Sequence, residues 1–146
     1  MDKQELLNTI KTKISDKIRS FESLIDETRA SNNDTKSSMG DKYETGREML
    51  QQEINNLQRQ LNESLNQLSV IRKISAEPSD KVQAGALVKT DKGLFYVTVS
   101  AGEIISGSQK IMTVSAESPL VKAMLGKKSG DGFFINNIHQ KITDVW

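Results

Sequence analysis

Residues 50–68 read LQQEINNLQRQLNESLNQL, with Leu50, Ile54, Leu57, Leu61, Leu65 and Leu68 recurring at three- and four-residue spacing. That is the apolar seam of a coiled-coil helix. A second seam precedes it, built from Leu7, Ile10, Ile14, Ile18, Phe21 and Ile25. Leu7 can be matched with Leu68, Ile10 with Leu65, Ile14 with Leu61, Ile18 with Leu57, Phe21 with Ile54 and Ile25 with Leu50, and each pair of numbers adds to 75. Residues level with one another on antiparallel helices run in opposite directions along the axis. Their numbers therefore keep a fixed sum, and half of it locates the turn. The turn falls at Ser37-Ser38, inside the polar stretch from Ser31 to Ser38. One sum centred on one polar stretch is a property of a chain folded on itself, so a monomeric hairpin is expected.

The first helix is expected over about residues 3–30 and the second over about 39–74. At roughly 1.5 Å per residue, arms of about 30 residues make a rod on the order of 40–45 Å long. Ser38-Met39-Gly40-Asp41 has the form of a capping box and is expected to start the second arm. Gly40 and Gly46 each weaken a helix by roughly 1 kcal/mol relative to alanine, so the tip side is expected to be less rigid than the base.

Composition changes near Ser75-Ala76-Glu77-Pro78-Ser79-Asp80, which is read as a linker. Residues 1–76 then form the hairpin, with its tip near 31–41, and residues 77–146 form a second domain. Strands are expected at Val82–Val88, Leu94–Val99, Lys110–Ser115, Gly132–Asn136 and Lys141–Val145, bounded by glycine or Asp-Lys-Gly turns. One helix is signalled by Ser118-Pro119-Leu120-Val121-Lys122-Ala123-Met124-Leu125-Gly126: serine at the N-cap, proline first in the helix, glycine past its end. The fold class is α+β. So small a domain is expected to rest partly on the hairpin base.

Several function classes are excluded or disfavoured. There is no cysteine, hence no disulfide, thiolate metal site or cysteine nucleophile, and His139 is the only histidine. A net charge of +1 argues against nonspecific nucleic-acid binding. No apolar run approaches the roughly 20 residues that span a bilayer, and the charged start lacks the apolar core of a signal peptide. A soluble cytoplasmic protein is expected, without a membrane partner.

The segment Ser118-Pro119-Leu120-Val121-Lys122-Ala123-Met124-Leu125-Gly126-Lys127-Lys128-Ser129-Gly130-Asp131 resembles the C-terminal signature of the Gre transcript-cleavage factors of bacterial RNA polymerase. That signature has Ser-Pro, an apolar helix, Leu-x-Gly-Lys and then Gly-Asp. Asp41-Lys42-Tyr43-Glu44 resembles the Glu-Tyr element near the acidic tip of that family. The resemblance runs through nearly the whole chain in order and length. It implies an FKBP-like C-terminal domain docked at the rim of the polymerase secondary channel, with Ser118, Pro119, Lys127 and Lys128 as candidate polymerase contacts. The hairpin would enter the channel, and its tip acids would help hold a magnesium ion and a water while the polymerase cleaves backtracked RNA. The factor itself is then not an enzyme, has no cofactor of its own and meets nascent RNA only indirectly. The candidate acids are Asp41 and Glu44, also the magnesium ligands, with Asp34 next. The spacing departs from the family here: Met39 lies four before Tyr43 and Lys36 seven before it. Asp34 and Asp41 also add to 75, so they could face each other across the turn.

Each candidate has a plainer reading. Asp41 and Glu44 start a helix, where acids suit the dipole. Lys11, Lys13, Lys17 and Arg19 suit a solvated coiled-coil exterior, or a patch on the channel wall. Ser118-Pro119 is a helix start, and Lys127 and Lys128 follow a helix end, where cations are favoured. Phe95, Tyr96, Phe133, Phe134 and Trp146 read as core and edge packing without a proline-binding cage. His139 reads as a surface turn residue.

Overall fold

A computed structural model describes residues 2–35 and 41–146, and of residues 33–35 and 41–45 it describes the helical backbone alone. Two long helices, α1 (Lys3–Thr35) and α2 (Asp41–Arg72), precede β1 (Leu87–Thr90), β2 (Gly93–Thr98), β3 (Glu103–Ser106), β4 (Gln109–Ser115), α3 (Pro119–Met124), β5 (Gly132–Ile135) and β6 (Ile138–Val145). The expected helical hairpin and small α+β domain are both present. The first arm runs five residues past its expected end, because no proline or glycine interrupts residues 31–35. The predicted turn at Ser37-Ser38 and the Ser38 capping box lie outside the described residues. Among the described residues no helix is long and apolar enough to cross a membrane.

By packing, the chain divides into Ile14–Leu68 and a second unit made of Met1–Lys13 with Ser69–Trp146. The boundary read from composition follows chain order, whereas the packing boundary crosses the two arms and groups their base with the sheet.

In the unit Ile14–Leu68, Ile14, Ile18 and Ile25 of α1 and Ile54 and Leu61 of α2 are buried. One element of the expected seam fails. Leu65 is 46% exposed, whereas its neighbour Ser64 is 3% exposed and takes the inward position. An apolar-only seam stepped over that serine. Ile14, Ile18, Phe21, Ile25 and Thr28 of α1 and Leu50, Ile54, Leu57, Leu61 and Ser64 of α2 are thus buried or half-buried. Lys17 and Phe21 of α1 and Gln60, Glu63, Ser64 and Gln67 of α2 line one hollow of about 260 Å³. Ser64→Leu, filling this space and improving helix propensity, is expected to stabilise by about 1–2 kcal/mol. Thermal unfolding followed by far-UV circular dichroism checks it.

The other unit carries a six-stranded sheet in the order β3-β4-β2-β1-β6-β5. β2 and β4 run parallel, and the remaining neighbours are antiparallel. β1, expected from Val82, begins at Leu87 instead. Gly85 has a positive φ of 90° that turns the chain, and Val82 exchanges bonds with the loop after α3, its N–H to the Lys127 carbonyl and its carbonyl from Gly126 N–H, both 2.8 Å. β3 was not anticipated; Gly107, at φ 62°, closes its hairpin with β4. Asn136 and Asn137 have φ of 51° and 64° and form the two-residue turn between β5 and β6. Positive φ at both positions is the type I′ geometry that matches strand twist. His139 therefore lies in β6, beyond the turn, and its ring meets Phe134 edge-on at 4.9 Å.

The sheet buries two faces. Val88, Val97 and Ile142 share a core with Val82, Val121, Met124 and Phe133. Residues on a strand alternate sides, so Leu87, Tyr96 and Ile111 point the other way, and they too are fully buried. Leu6, Leu7, Ile10 and Ile71 are buried in the same unit. The hairpin base thus packs in one unit with the sheet. Two lysines tie the base in place. The Lys3 ammonium donates to the Glu77 carbonyl at 2.7 Å and the Trp146 carbonyl at 3.1 Å, and Lys13 donates to the Glu103 carbonyl at 3.0 Å. Burial lowers the Lys3 pKa, with the Glu77 charge opposing.

Candidate functional site

The candidate residues fall in two places. Asp34 belongs to the last turn of α1, Asp41 opens α2 and Glu44 follows within its first turn. The side chains of these three acids lie outside the described residues, and so does the proposed pairing of Asp34 with Asp41. Among the described residues no three acidic or histidine side chains converge into a metal-binding group. The magnesium assignment therefore stands on Asp41 and Glu44 as sequence positions.

The second place is the segment from Ser115 to Asp131, and here the local chemistry is fully described. Ser118 sits at φ −66°, ψ 152°, and its hydroxyl accepts from Val121 N–H at 3.3 Å, as the N-cap of α3. Pro119 follows as the first helical residue, where a missing N–H costs nothing. Gly126, at φ 78°, reverses the chain after α3. Beyond it the Asp131 carboxylate accepts from Lys128 N–H at 2.8 Å, and Ile142 N–H donates to the Asp131 carbonyl at 2.8 Å. Ser129 Oγ donates to the Thr143 carbonyl at 2.6 Å. Each polar residue of the Ser-Pro and Gly-Asp elements thus has a backbone to hold, and Pro119 and Lys128 remain exposed, with Lys127 half-buried.

Ser118-Pro119 and Lys127-Lys128 stand at opposite ends of α3. Six residues give a rise of about 9 Å, so they flank one short helix without meeting. Ser118→Ala removes the cap and is expected to lower stability by about 1 kcal/mol. The urea midpoint should fall with an unchanged slope.

The basic cluster on α1 is largely occupied within the molecule. Lys13 reaches the Glu103 carbonyl, Arg19 pairs with Asp16 at 3.0 Å, Lys17 lines the hollow beside Ser64 and Lys11 is half-buried. The solvated-exterior reading fits better than a free cationic patch. Arg19–Asp16 is well exposed and contributes little. Sequence reasoning missed the surface apolar residues Phe134, 70% exposed, and Ile138 on the β5–β6 hairpin. The alternation of that hairpin was legible, but not that β6 pairs only with β5 up to Lys141.

No family model matches the chain, and no curated protein matches it. Among solved structures, the chain is similar to one described as the transcription factor Gfh1, with 17% identity, 92% of each chain covered and a TM-score of 0.40. The GreA factor homolog 1 protein of Thermus thermophilus shares 16% identity over 93% of this chain and 94% of its own, with a TM-score of 0.39. Gfh1 of Thermus aquaticus shares 14% identity over 87% and 92%, with a TM-score of 0.33.

Proposed function

We propose that this protein regulates bacterial RNA polymerase from the secondary channel, promoting elongation by stimulating cleavage of backtracked RNA. The observation that carries this reading is the Ser118–Asp131 segment. Its Ser-Pro element caps α3, its glycine reverses the chain and its Gly-Asp element closes onto β6. This is the local job each residue of the Gre-like signature would need to do. A hairpin with arms of 33 and 32 residues precedes it.

In this reading the chain performs no catalysis alone. Asp41 and Glu44, with Asp34 beside them, help to hold a magnesium ion that the polymerase shares, and nascent RNA is met only inside that complex. Magnesium accepts one or two carboxylates together with phosphate oxygens, and phosphodiester hydrolysis benefits from two metals about 4 Å apart. The protein acts in the cytoplasm as a monomer, and Pro119, Lys127 and Lys128 face the channel rim.

A second reading is favoured by one observation. Met39 and Lys36 occupy the positions, four and seven before Tyr43, at which the family carries acids. The same docking would then modulate initiation or inhibit elongation without cleavage. Adding the protein to a stalled, backtracked elongation complex of its own organism separates the readings. Shortening of the RNA is expected, and Asp41→Ala with Glu44→Ala should slow it by about tenfold or more while binding persists. Binding without shortening selects the second reading. Absence of binding rejects both and leaves a coiled-coil module with another helical partner.

A further inference from the structure

β3 ends the sheet on one side, with β4 as its neighbour and no strand beyond it among the described residues. Glu103 is level with Met112, Ile104 with Ile111 and Ile105 with Lys110. Thr113 N–H donates to the Gly102 carbonyl at 3.0 Å, so Gly102 and Thr113 form a bonded pair just before this run. Along an antiparallel ladder, bonded pairs alternate with pairs that are not bonded to each other. Ile104 therefore bonds to β4, whereas the N–H and C=O groups of Glu103 and Ile105 point away from the sheet. Four outward backbone groups on an edge are a template for another strand.

One of the four is already taken. The Lys13 ammonium of α1 reaches the Glu103 carbonyl at 3.0 Å. Gly102 leaves room for it, since a β-carbon there would lie 3.2 Å from that ammonium. We infer that Lys13 closes a latent dimerisation edge, and that two copies of the chain join through β3 when this ammonium is withdrawn. The edge is self-complementary. With two β3 strands antiparallel and Ile104 level with Ile104 of the second copy, Glu103 of each chain pairs with Ile105 of the other. Both are bonded pairs, which gives four N–H···O bonds. The charges match as well. Glu103 meets an isoleucine rather than another acid, and Lys110 of the second copy stands on the far side of that isoleucine. No like charges are directly opposed. Ile105, 64% exposed, lies diagonal to its counterpart, and Met112, 41% exposed, shares that side of the sheet. A strand of four residues buries far less than the roughly 800 Å² per partner of a standard interface. The closed edge thus keeps the chain monomeric, and opening it gives a weak, concentration-dependent dimer.

Sedimentation equilibrium of the full chain tests this. Lys13→Ala is expected to lower the dimer dissociation constant by about tenfold or more, because dimerisation no longer breaks two lysine bonds. Lys13→Arg can still donate to the Glu103 carbonyl and should behave as the parent. Adding Ile105→Pro to Lys13→Ala should return association to the parent's level. The proline removes an outward N–H that β4 does not use, so β3 itself persists. Adding Ile105→Glu instead should do the same, because the new acid opposes Glu103 of the second copy and sits beside Lys110 of its own chain. In the Lys13→Ala dimer the Ile105 amide should exchange with solvent about tenfold more slowly than in the diluted monomer. Equal association of Lys13→Ala and the parent overturns the inference. So does a dimer that survives both Ile105 changes or leaves the Ile105 amide unprotected.

Discussion

Met124→Ala is expected to lower the unfolding free energy by about 2–5 kcal/mol, among the largest effects of any single truncation in the chain. Met124 is fully buried and packs with Val82, Val97, Val121, Phe133 and Ile142. Its helix has six residues, too few to form without tertiary contacts. What holds α3 is therefore the Ser118 cap at one end, the Val82 bonds to Gly126 and Lys127 at the other, and the burial of Val121 and Met124 between them. Truncating Met124 removes apolar contact and leaves a cavity whose walls belong to three different strands and loops. Those walls cannot all collapse, so the cavity term persists. Leu125→Ala is the matched control. Leu125 is 56% exposed, and its loss should cost less than about 0.5 kcal/mol. Urea unfolding of both variants decides the matter. Equal costs would mean that α3 does not pack as described, and the placement of Ser118, Pro119, Lys127 and Lys128 around it would fall too.

The hairpin was legible because coiled-coil periodicity is a strong local signal, repeated over more than sixty residues. One of its inward positions was not. Apolar matching selects Leu65, whereas the packing puts Ser64 inward, and no local property of a serine announces that it is buried. In the sheet domain the cap at Ser118, the proline after it and Gly126 could be read, since each acts on its own backbone. Two features could not. Val82–Ala86 reads as the start of β1, but Val82 bonds to the Gly126 and Lys127 backbone, while Gly85 and Ala86 bond to Val97. β3 was hidden because Glu103–Ser106 is short and gains its stability from pairing with β4. The same divide separates the two halves of the candidate site. Ser118 acts through a bond to nearby backbone and was inferable, whereas the role proposed for Asp34, Asp41 and Glu44 depends on a partner's metal and RNA.

Raising the pH from 10 to 12 is expected to remove about 2 kcal/mol of stability through Tyr96 alone. Tyr96 is fully buried in the centre of the sheet, level with Leu87 on β1 and Thr113 on β4. Its hydroxyl has no hydrogen-bond partner among the described residues, so nothing there stabilises a phenolate. Burial pushes its pKa up from 10.0 to about 12. Between these values the unfolded chain releases a proton that the folded chain keeps. The stabilisation is therefore present below pH 10 and is lost as pH rises through 12. Lys3 acts with the opposite sign. Its folded pKa lies below 10.5, so the folded chain releases that proton first and stability rises with pH within a window ending at 10.5. Tyr96→Phe separates the two effects. It keeps the ring, deletes an unpartnered oxygen and should be neutral or stabilising by up to about 1 kcal/mol at neutral pH. Denaturant unfolding at pH 9, 10 and 11 should show the parent losing stability at the last step while the phenylalanine variant does not. If both chains decline together, the alkaline loss belongs to other groups, and the closed apolar environment assigned to Tyr96 is wrong.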